Sequence, residues 1–473
     1  MLQPRLVAVH LGISCLALAA GACQPGPASG DLGRQVAHIV DRVLQNTPIA
    51  GVSVAVGRSG GVAFARGFGV SDLASRQLLD AAGVMDIGSI GKQFTAAAVL
   101  KLVERGQVDL DQPATRYLPA WNDAGRGVTV RQLLNHTSGL DDPPFSEEKP
   151  EPRFLAAAPP DGLLAFVNTA PFRFAAQESW YYANTGYNVL GLMLEQLYQK
   201  PYGRVIEDEI ARPLGLDTLA HCDKKRAIPN RVHDYMVRSG TPELVPPIDV
   251  SWFGGSGSLC ASASDLVRWE QALWSGKVAA PALLGMMNGN APIRIDGAAV
   301  DVPYGFGRAH GSLAGHRKFG HPGTGAGISG ALTHYPDDDL ILAVLVNTNG
   351  RDIPHARAIE AEPAAAILGL HSPANAPDVA VPPEQLEAWQ GTYGGSYGVG
   401  LRLTRCGENG LCAASVRGGA EPRRLTYRGN GLFAGTQGPG SDVQFVPADS
   451  RPAWIVHTLD GLHDNVLRRV NAP

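Results

Sequence analysis

The stretch DIGSIGKQF places a serine hydroxyl and a lysine amine three residues apart, at Ser89 and Lys92. Residues i and i+3 share one face of a helix, so the amine can approach the hydroxyl. A serine attacks a carbonyl carbon only after a base takes its proton, and a lysine can be that base where desolvation favours its neutral form. The pair alone leaves two interpretations: an ordinary helix N-cap, or a nucleophile beside its base.

Two later stretches carry polar groups that suit the same chemistry. ESWYYANTGYNVLG contains Tyr182 and Asn184, and GHPGTGAG contains His321, Pro322 and Gly323. A tyrosine is a useful base near neutral pH only where a neighbouring cation lowers its pKa. Together with the serine–lysine pair, these stretches form an ordered series of motifs, S-x-x-K, Y-x-N and H-x-G.

This series resembles the serine β-lactamase and penicillin-binding-protein superfamily, on its class C β-lactamase-like branch of D,D-peptidases, D-aminopeptidases and esterases. Further phrases are similar to that branch, among them LLNHTSGL, ARPLGLDTL and GSGSLCASASDLVRW. The resemblance covers roughly residues 35–370, and it implies that this region is a β-lactamase-related serine hydrolase domain. It favours the catalytic interpretation of the serine–lysine pair over the cap.

The resemblance also implies roles for the matching residues. Ser89 would be the acylated nucleophile, activated by Lys92 and Tyr182, either as a neutral lysine base or as a tyrosinate held by the charged lysine. Asn184 would bind the substrate amide and fix the lysine. The backbone N–H groups of Ser89 and Thr324 would form the oxyanion hole.

The H-x-G motif departs from the lysine-containing form found in β-lactamases and many D,D-carboxypeptidases. His321 stands where that lysine helps to bind a substrate carboxylate, and an ordinary histidine is mostly neutral at pH 7. His321 and Gly323 are therefore predicted to bind a different substrate group, as in esterase-like and D-aminopeptidase-like members. Pro322 fits a strand that borders the active site, since its missing N–H then removes no sheet hydrogen bond.

Three other patterns point to chemistry but lack the required context. GRSGG (57–61) matches a nucleophile elbow, yet it lies between two strand-like runs and predicts a hairpin turn. GAGISG (325–330) matches a dinucleotide-binding pattern, but no helix or acidic partner follows it. His310, His316 and His321 occur without a carboxylate or cysteine set, so we expect no metal and no cofactor.

The elements that must position these residues indicate an α+β fold. GVSVAVGRSGGVAFARGFG (51–69) predicts a strand hairpin, SIGKQFTAAAVLKLVE (89–104) a buried helix, and residues 112–260 a series of helices. Strands return after residue 301, and a helix follows them. This order predicts one antiparallel sheet assembled from both ends of the domain, flanked by helices and a large helical subdomain, as in β-lactamases and transpeptidases.

The N-terminus has the pattern of an export signal. Arg5 precedes about fifteen mostly apolar residues, too few to span a bilayer, and small residues follow. We predict a signal peptide at residues 1–22. Two outcomes stay open: lipidation of Cys23 in the lipobox-like AAGAC, or plain cleavage after Ala22. Either outcome implies a bacterial protein that is periplasmic or a membrane-anchored lipoprotein, with residues 23–34 as a flexible tether.

The C-terminal part differs in composition from the rest of the chain. HSPANAPDVAVPPEQ (371–385) is a Pro-rich linker, and residues 386–473 contain short alternating strands with regular turns. They predict an all-β domain, which looks like the lipocalin-like barrel that follows the catalytic domain in some relatives. It would either shape the cleft or be a passive or oligomerising module.

Four cysteines remain beyond the N-terminal segment, and export permits disulfides. Cys406 and Cys412 bracket GENGL between two strand-like runs, which predicts a hairpin disulfide. A bond between Cys222 and Cys260 is a weaker hypothesis.

Composition narrows the function classes. The 473 residues carry a formal net charge of −4, with no cluster of basic residues of the kind that binds nucleic acid. We therefore predict an exported serine hydrolase that cleaves a small amide or ester, of the D-amino-acid peptide or ester type, with a small molecule or short peptide as its partner. The alternatives are a β-lactamase or D-Ala-D-Ala carboxypeptidase, and a penicillin- or peptidoglycan-binding module with little turnover.

Overall fold

A computed structural model describes residues 27–144, 150–223, 227–246, 248–295, 298–313, 315–350, 353–370, 381, 383–394, 400–407, 410–415, 422–429, 432–435, 441–446, 454–459 and 462–470. The predicted signal peptide and Cys23 lie outside these residues, as does most of the predicted linker. Within the described part of the chain, no helix is long and apolar enough to cross a membrane.

The helices are α1 Pro27–Asn46, α2 Lys92–Glu104, α3 Val130–Leu134, α4 Gly162–Val167, α5 Asn184–Tyr198, α6 Tyr202–Ile206, α7 Arg212–Leu214, α8 Gly254–Gly257, α9 Ala263–Trp274, α10 Pro281–Met287, α11 Ala356–Ile367 and α12 Pro383–Trp389. The strands are β1 Gly51–Arg58, β2 Gly61–Asp72, β3 Gln77–Leu78, β4 Met85–Asp86, β5 Ala220–His221, β6 Tyr235–Arg238, β7 Thr241–Leu244, β8 Leu259–Ala261, β9 Ala291–Ile295, β10 Ala298–Val302, β11 Ala309–Leu313, β12 His316–Gly325, β13 Ile328–Tyr335, β14 Leu340–Val346, β15 Thr348–Asn349, β16 Gly391–Gly394, β17 Gly400–Arg405, β18 Gly410–Ser415, β19 Arg423–Gly429, β20 Leu432–Gly435, β21 Ser441–Val446, β22 Trp454–Leu459 and β23 Leu462–Val470.

The central sheet is antiparallel, with the strand order β11-β12-β13-β14-β1-β2-β3. Its two halves come from opposite ends of the domain, which confirms the predicted α+β arrangement. Side chains alternate across β1: Val52, Val54 and Val56 pack in one layer with α1 and α11, while Ala55 faces the core of the helical subdomain. Helices on both faces therefore bury this strand.

The prediction of a flexible tether at residues 23–34 is only partly correct. Helix α1 begins at Pro27, so residues 27–34 are helical and are not a flexible tether. Proline is tolerated in the first turn of a helix, where its missing N–H has no partner to lose. Val36 and Val40 are fully buried against the sheet, and this packing favours the helix over a loose segment.

The helical subdomain lies between the two halves of the sheet in sequence, as predicted. Helix α2 is at its centre, and every residue from Gly91 to Leu100 is buried. Helix α9 begins after Ser262, whose hydroxyl accepts the N–H of Asp265 at 3.3 Å and so caps the helix.

The eight strands after α12 pair in sequence order, and β16 also pairs with β23, so this sheet closes into a barrel. The further likeness to a lipocalin-like domain stays a prediction. Both predicted disulfides are present, Cys406–Cys412 beside the β17–β18 connection and Cys222–Cys260 between β8 and the segment after β5.

Candidate active site

Ser89 lies in a short 3₁₀ turn, Gly88–Gly91, that leads directly into α2. The alternative interpretation of Ser89 as an N-cap is not supported, because neither the turn nor α2 has a side-chain cap hydrogen bond. In a 3₁₀ turn, residues i and i+3 eclipse one another, which brings the serine and lysine side chains together. The Ser89 hydroxyl oxygen accepts a hydrogen bond from Lys92 Nζ at 2.9 Å.

Lys92 is fully buried at the beginning of α2. Besides the serine, its amine donates to Asn184 Oδ1 at 2.7 Å and to the Ser256 carbonyl oxygen at 2.9 Å. The same nitrogen lies 4.8 Å from the ring centroid of Tyr182. The S-x-x-K and Y-x-N motifs, 90 residues apart in sequence, thus meet around one amine.

Asn184 is the first residue of α5, and a carboxylate from a neighbouring loop fixes the orientation of its amide. Asp142 Oδ2 accepts the Asn184 Nδ2–H at 3.1 Å, and Asp142 Oδ1 accepts the backbone N–H of Thr185 at 2.7 Å. A carboxylate can only accept hydrogen bonds, so the amide NH₂ must face Asp142 and the amide oxygen must face Lys92.

Strand β12 approaches the serine turn so closely that two glycines are required. A Cβ on Gly88, where φ is +48°, would lie 2.7 Å from the Thr324 carbonyl oxygen and 2.9 Å from its nitrogen. A Cβ on Gly323 would lie 2.0 Å from the carbonyl oxygen of Ile87. The two N–H groups predicted to form the oxyanion hole, those of Ser89 and Thr324, are therefore on adjacent segments of backbone.

The H-x-G histidine is buried and does not line the cavity beside Ser89. His321 is 2% exposed, and its two ring nitrogens contact Tyr304 Oη at 3.0 Å and the Pro322 carbonyl oxygen at 2.6 Å. Burial, with Lys92 as the next contribution, lowers the pKa of His321 to about 3, so the ring is neutral. The structure does not bring this side chain to a position where it would bind substrate, because its hydrogen-bonding atoms are already used.

A cavity of about 620 Å³ opens beside Ser89. Tyr182, Asn184 and Thr324 line it, together with Asp86 and Asp234. Burial raises the pKa of Asp234 to about 7, against the opposing effect of the Arg231 guanidinium. No described residue of the C-terminal barrel lines this cavity.

The other two histidines of the sequence pattern have separate partners. His310 Nε2 contacts the Gly289 carbonyl oxygen at 3.2 Å, and His316 Nδ1 contacts Asp338 at 2.9 Å. Over the ranges that the structure describes, no group of three or more His, Cys, Asp or Glu residues could hold a metal ion.

Sequence reasoning missed four residues that contact the site. Ser256 and Asp142 hold the lysine and the asparagine, and His136 and Tyr304 stand behind the tyrosine. His136 belongs to LLNHTSGL, and the resemblance of this phrase to the family is its only signal in the sequence. No spacing rule connects Asp142 with Asn184, 42 residues later.

Comparison with known proteins agrees with this geometry. The family model described as Beta-lactamase matches residues 36–366. Penicillin-binding protein 4* of Bacillus subtilis strain 168 is 26% identical over 323 residues, which are 65% of this chain and 70% of that protein. A D-aminopeptidase of Brucella canis is 29% identical over 321 residues, 66% of this chain and 59% of that protein. Other curated relatives are matched over about half of their length.

Among solved structures, the octameric penicillin-binding protein homologue from Pyrococcus abyssi superimposes with a TM-score of 0.64 at 20% identity, over 92% of this chain and 99% of that one. This likeness shows a shared fold. The family match covers well over half of the 473 residues and contains Ser89, Lys92, Tyr182 and Asn184. The chain therefore belongs to the Beta-lactamase family of serine hydrolases.

Proposed function

We propose that this protein is an exported serine hydrolase that cleaves a small amide or ester, of the D-amino-acid peptide or ester type, through an acyl-enzyme on Ser89. One observation carries the proposal: the Ser89 hydroxyl lies 2.9 Å from the amine of Lys92, which is itself held by Asn184. This places the nucleophile beside an amine that takes its proton when neutral or, when charged, holds Tyr182 as the tyrosinate that takes it.

In the first step, the Ser89 oxygen bonds to the substrate carbonyl carbon while its proton passes to Lys92 or to Tyr182. Both arrangements remain open, since both side chains lie around the same amine. The N–H groups of Ser89 and Thr324 would stabilise the developing oxyanion. The leaving amine or alcohol takes up the proton, and water then hydrolyses the acyl-enzyme ester, which frees Ser89.

The proposed substrate class is based on His321 in strand β12. Where a lysine would bind a substrate carboxylate, this chain has a buried neutral histidine. A free carboxylate beside the scissile bond, as in β-lactams and D-Ala-D-Ala peptides, would lose that partner. The similarity to a D-aminopeptidase at 29% identity favours substrates with a D-amino-acid acyl group.

Export is proposed on the sequence of residues 1–22, with attachment to a membrane only through a lipidated Cys23. Mass spectrometry of the protein from a bacterial host would show either a diacylglyceryl-modified N-terminal Cys23 or plain cleavage after Ala22. An intact N-terminus on the cell-associated protein would contradict export.

The function is tested on the purified mature protein with nitrocefin, p-nitrophenyl esters, D-Ala-p-nitroanilide and a D-Ala-D-Ala peptide. We expect turnover of the esters and of the D-alanyl anilide to exceed that of nitrocefin and of the dipeptide. Preference for nitrocefin or the dipeptide would instead identify a β-lactamase or carboxypeptidase, and labelling without turnover would identify a penicillin-binding module.

The serine is tested by a fluorophosphonate probe and a fluorescent penicillin. Ser89→Ala should abolish labelling and reduce turnover by at least about 10³-fold, because the nucleophile is lost. Ser312→Ala, on the exposed part of β11, should retain both. Labelling that persists in Ser89→Ala would refute the assignment.

A further inference from the structure

Three buried side chains form a continuous chain of hydrogen bonds behind the active site. The backbone N–H of Ala183 donates to His136 Nδ1 at 3.3 Å, and His136 Nε2 lies 3.2 Å from Tyr304 Oη. The same tyrosine oxygen lies 3.0 Å from His321 Nε2, and His321 Nδ1 lies 2.6 Å from the Pro322 carbonyl oxygen. The chain begins inside the Y-x-N motif and ends inside the H-x-G motif.

The two ends of the chain determine its direction. A carbonyl oxygen only accepts, so His321 Nδ1 carries the proton and its Nε2 is bare. A backbone N–H only donates, so His136 Nδ1 is bare. Burial lowers the pKa of both histidines, so each ring is neutral and His136 carries its proton on Nε2. Tyr304 therefore accepts from His136 and donates to His321, and every position in the chain is satisfied.

We propose that His136 and Tyr304 are positioning residues for the reaction, and that His321 acts through this chain instead of binding a substrate carboxylate. The proposal rests on the proposed function and deepens it. It assigns to the H-x-G histidine the task of holding β12, with Gly323 and Thr324, in register with the beginning of α5.

The chain also fixes the catalytic tyrosine from behind. The ring of Tyr182 lies with its centroid 4.4 Å from that of His136, 5.9 Å from that of His321 and 6.3 Å from that of Tyr304. Lys92 Nζ lies 4.8 Å from the centroid of the same ring. A small rotation of His136 would move the tyrosine relative to the lysine, and displacements of about 1 Å at reacting groups can cost about 100-fold in rate.

The chain has a consequence for substrate choice. A charged lysine side chain donates hydrogen bonds but accepts none, so a charged lysine at position 321 could not accept the hydrogen bond of Tyr304. It would also add a second buried cation close to Lys92. The chain and a carboxylate-binding lysine are therefore mutually exclusive, and the enzyme should favour substrates whose acyl group carries no carboxylate beside the scissile bond.

The test is Tyr304→Phe, which removes only the hydroxyl at the centre of the chain. Its matched control is Tyr335→Phe, another fully buried tyrosine, whose hydroxyl donates to Glu360 far from the cleft. For each purified protein, we would measure fluorophosphonate labelling, kcat and KM on a p-nitrophenyl ester, the pH profile of kcat, and the midpoint of thermal unfolding.

For Tyr304→Phe we expect kcat to fall about 10- to 100-fold, with KM changing by less than about threefold. The acid limb of the kcat profile should move to higher pH, because His321 loses a hydrogen bond that favours its neutral form. The charged groups that act on this histidine are Lys92, Arg308 and Arg357, and Tyr304→Phe leaves all of them in place. Tyr335→Phe should retain wild-type kcat and pH dependence.

The possible results distinguish the proposed function from the role of the hydrogen-bonded chain. A wild-type protein that is not labelled at Ser89 would refute the proposed function, and the role of the chain with it. A labelled wild type with Tyr304→Phe equal to Tyr335→Phe in kcat and pH profile would refute the chain alone. A loss of kcat without any shift of the acid limb would also overturn the proposal, since it would show lost packing only.

A second pair of variants tests the direction of the chain. The amide of His321→Gln can accept from Tyr304 and donate to the Pro322 carbonyl, whereas His321→Lys can only donate. We expect His321→Gln to keep at least about a tenth of wild-type kcat and His321→Lys to lose more on every substrate. A gain for His321→Lys on carboxylate-bearing substrates would restore the carboxylate-binding role and overturn the proposal.

Discussion

Two buried polar clusters lie at the two ends of the segment from Tyr304 to Arg308. They offset the free-energy cost of burying polar groups in different ways. At the Tyr304 end, the histidines are neutral and every described hydrogen bond joins uncharged groups. At the Arg308 end, the guanidinium donates two hydrogen bonds to the carboxylate of Glu270, at 2.6 and 2.7 Å, and both side chains are fully buried.

Their protonation differs accordingly. Burial alone would raise the pKa of Glu270, but Arg308 and His334 hold it at about 2. The neutral cluster lies next to Lys92, whose charge contributes to the lowered pKa of His136 and of His321. The buried guanidinium is thus paired with a carboxylate, whereas the histidines and the tyrosine beside the Lys92 amine stay neutral.

The largest expected effect comes from breaking the charged cluster. Arg308→Met leaves Glu270 buried without its guanidinium partner, and removal of one member of a buried ion pair typically costs about 3–5 kcal/mol. We expect a loss of that size in the free energy of unfolding, measured by urea denaturation at neutral pH. The matched control is Arg317→Met, which breaks an exposed pair with Asp337 and should cause no measurable loss. Equal losses in the two variants would contradict the comparison.

Much of the fold could be predicted from sequence because it depends on local patterns. The alternation of β1 and the apolar faces of α2 predict the hairpin and the buried helix directly. The site motifs could be predicted as well, because the ordered series S-x-x-K, Y-x-N and H-x-G resembles a known superfamily. The structure places Lys92 and Asn184 of two of these motifs in a hydrogen bond. The prediction of a tether was wrong for residues 27–34. Helix α1 forms there because Val36 packs against the sheet, and the sequence does not show this long-range contact.

The neutral chain could not be predicted, because its members lie in three separate elements and His136 is 168 residues from Tyr304. His136 follows α3, Tyr304 lies in the loop before β11, and His321 is in β12. The sequence shows only that residue 321 is a histidine. It does not show whether the side chain faces a cleft or, as in the structure, is 2% exposed and accepts a hydrogen bond from Tyr304. Its role is set by tertiary contacts and by the direction of hydrogen bonds, which a single sequence does not encode locally.

A smaller effect, on kcat, is expected from changing Asp142, whose carboxylate accepts a hydrogen bond from Asn184. Asp142→Asn gives this position an NH₂ group, so the amide of Asn184 is no longer forced to point its oxygen at Lys92. We expect kcat on the ester to fall about tenfold, with KM little changed, because the amine loses a fixed acceptor. Asp141→Asn is the matched control, since this neighbouring carboxylate pairs with Arg173 instead. Equal kcat in both variants would show that Asp142 does not orient the asparagine.

The smallest expected effect is a difference between the two clusters in how they make the free energy of unfolding depend on pH. His321 titrates near 6.5 in the unfolded chain and near 3 in the folded one, so below about pH 6.5 the unfolded state binds a proton that the folded state does not. Stability is therefore lost as the pH falls through that window, by about 1 kcal/mol for this histidine at about pH 5.5. The contribution of Glu270, with a folded pKa of about 2 against 4.5, is lost only between about pH 4.5 and 2.

The free energy of unfolding should thus fall between about pH 7.5 and 5.5 in the wild type, and His321→Gln should reduce that fall by about 1 kcal/mol because the glutamine does not titrate. Tyr335→Phe changes a buried hydrogen bond but no histidine, and it should keep the wild-type pH dependence. If His321→Gln kept the full pH dependence, the folded histidine would bind its proton as readily as the unfolded one. The neutral cluster would then be charged like its neighbour, and the contrast between the two clusters would be lost.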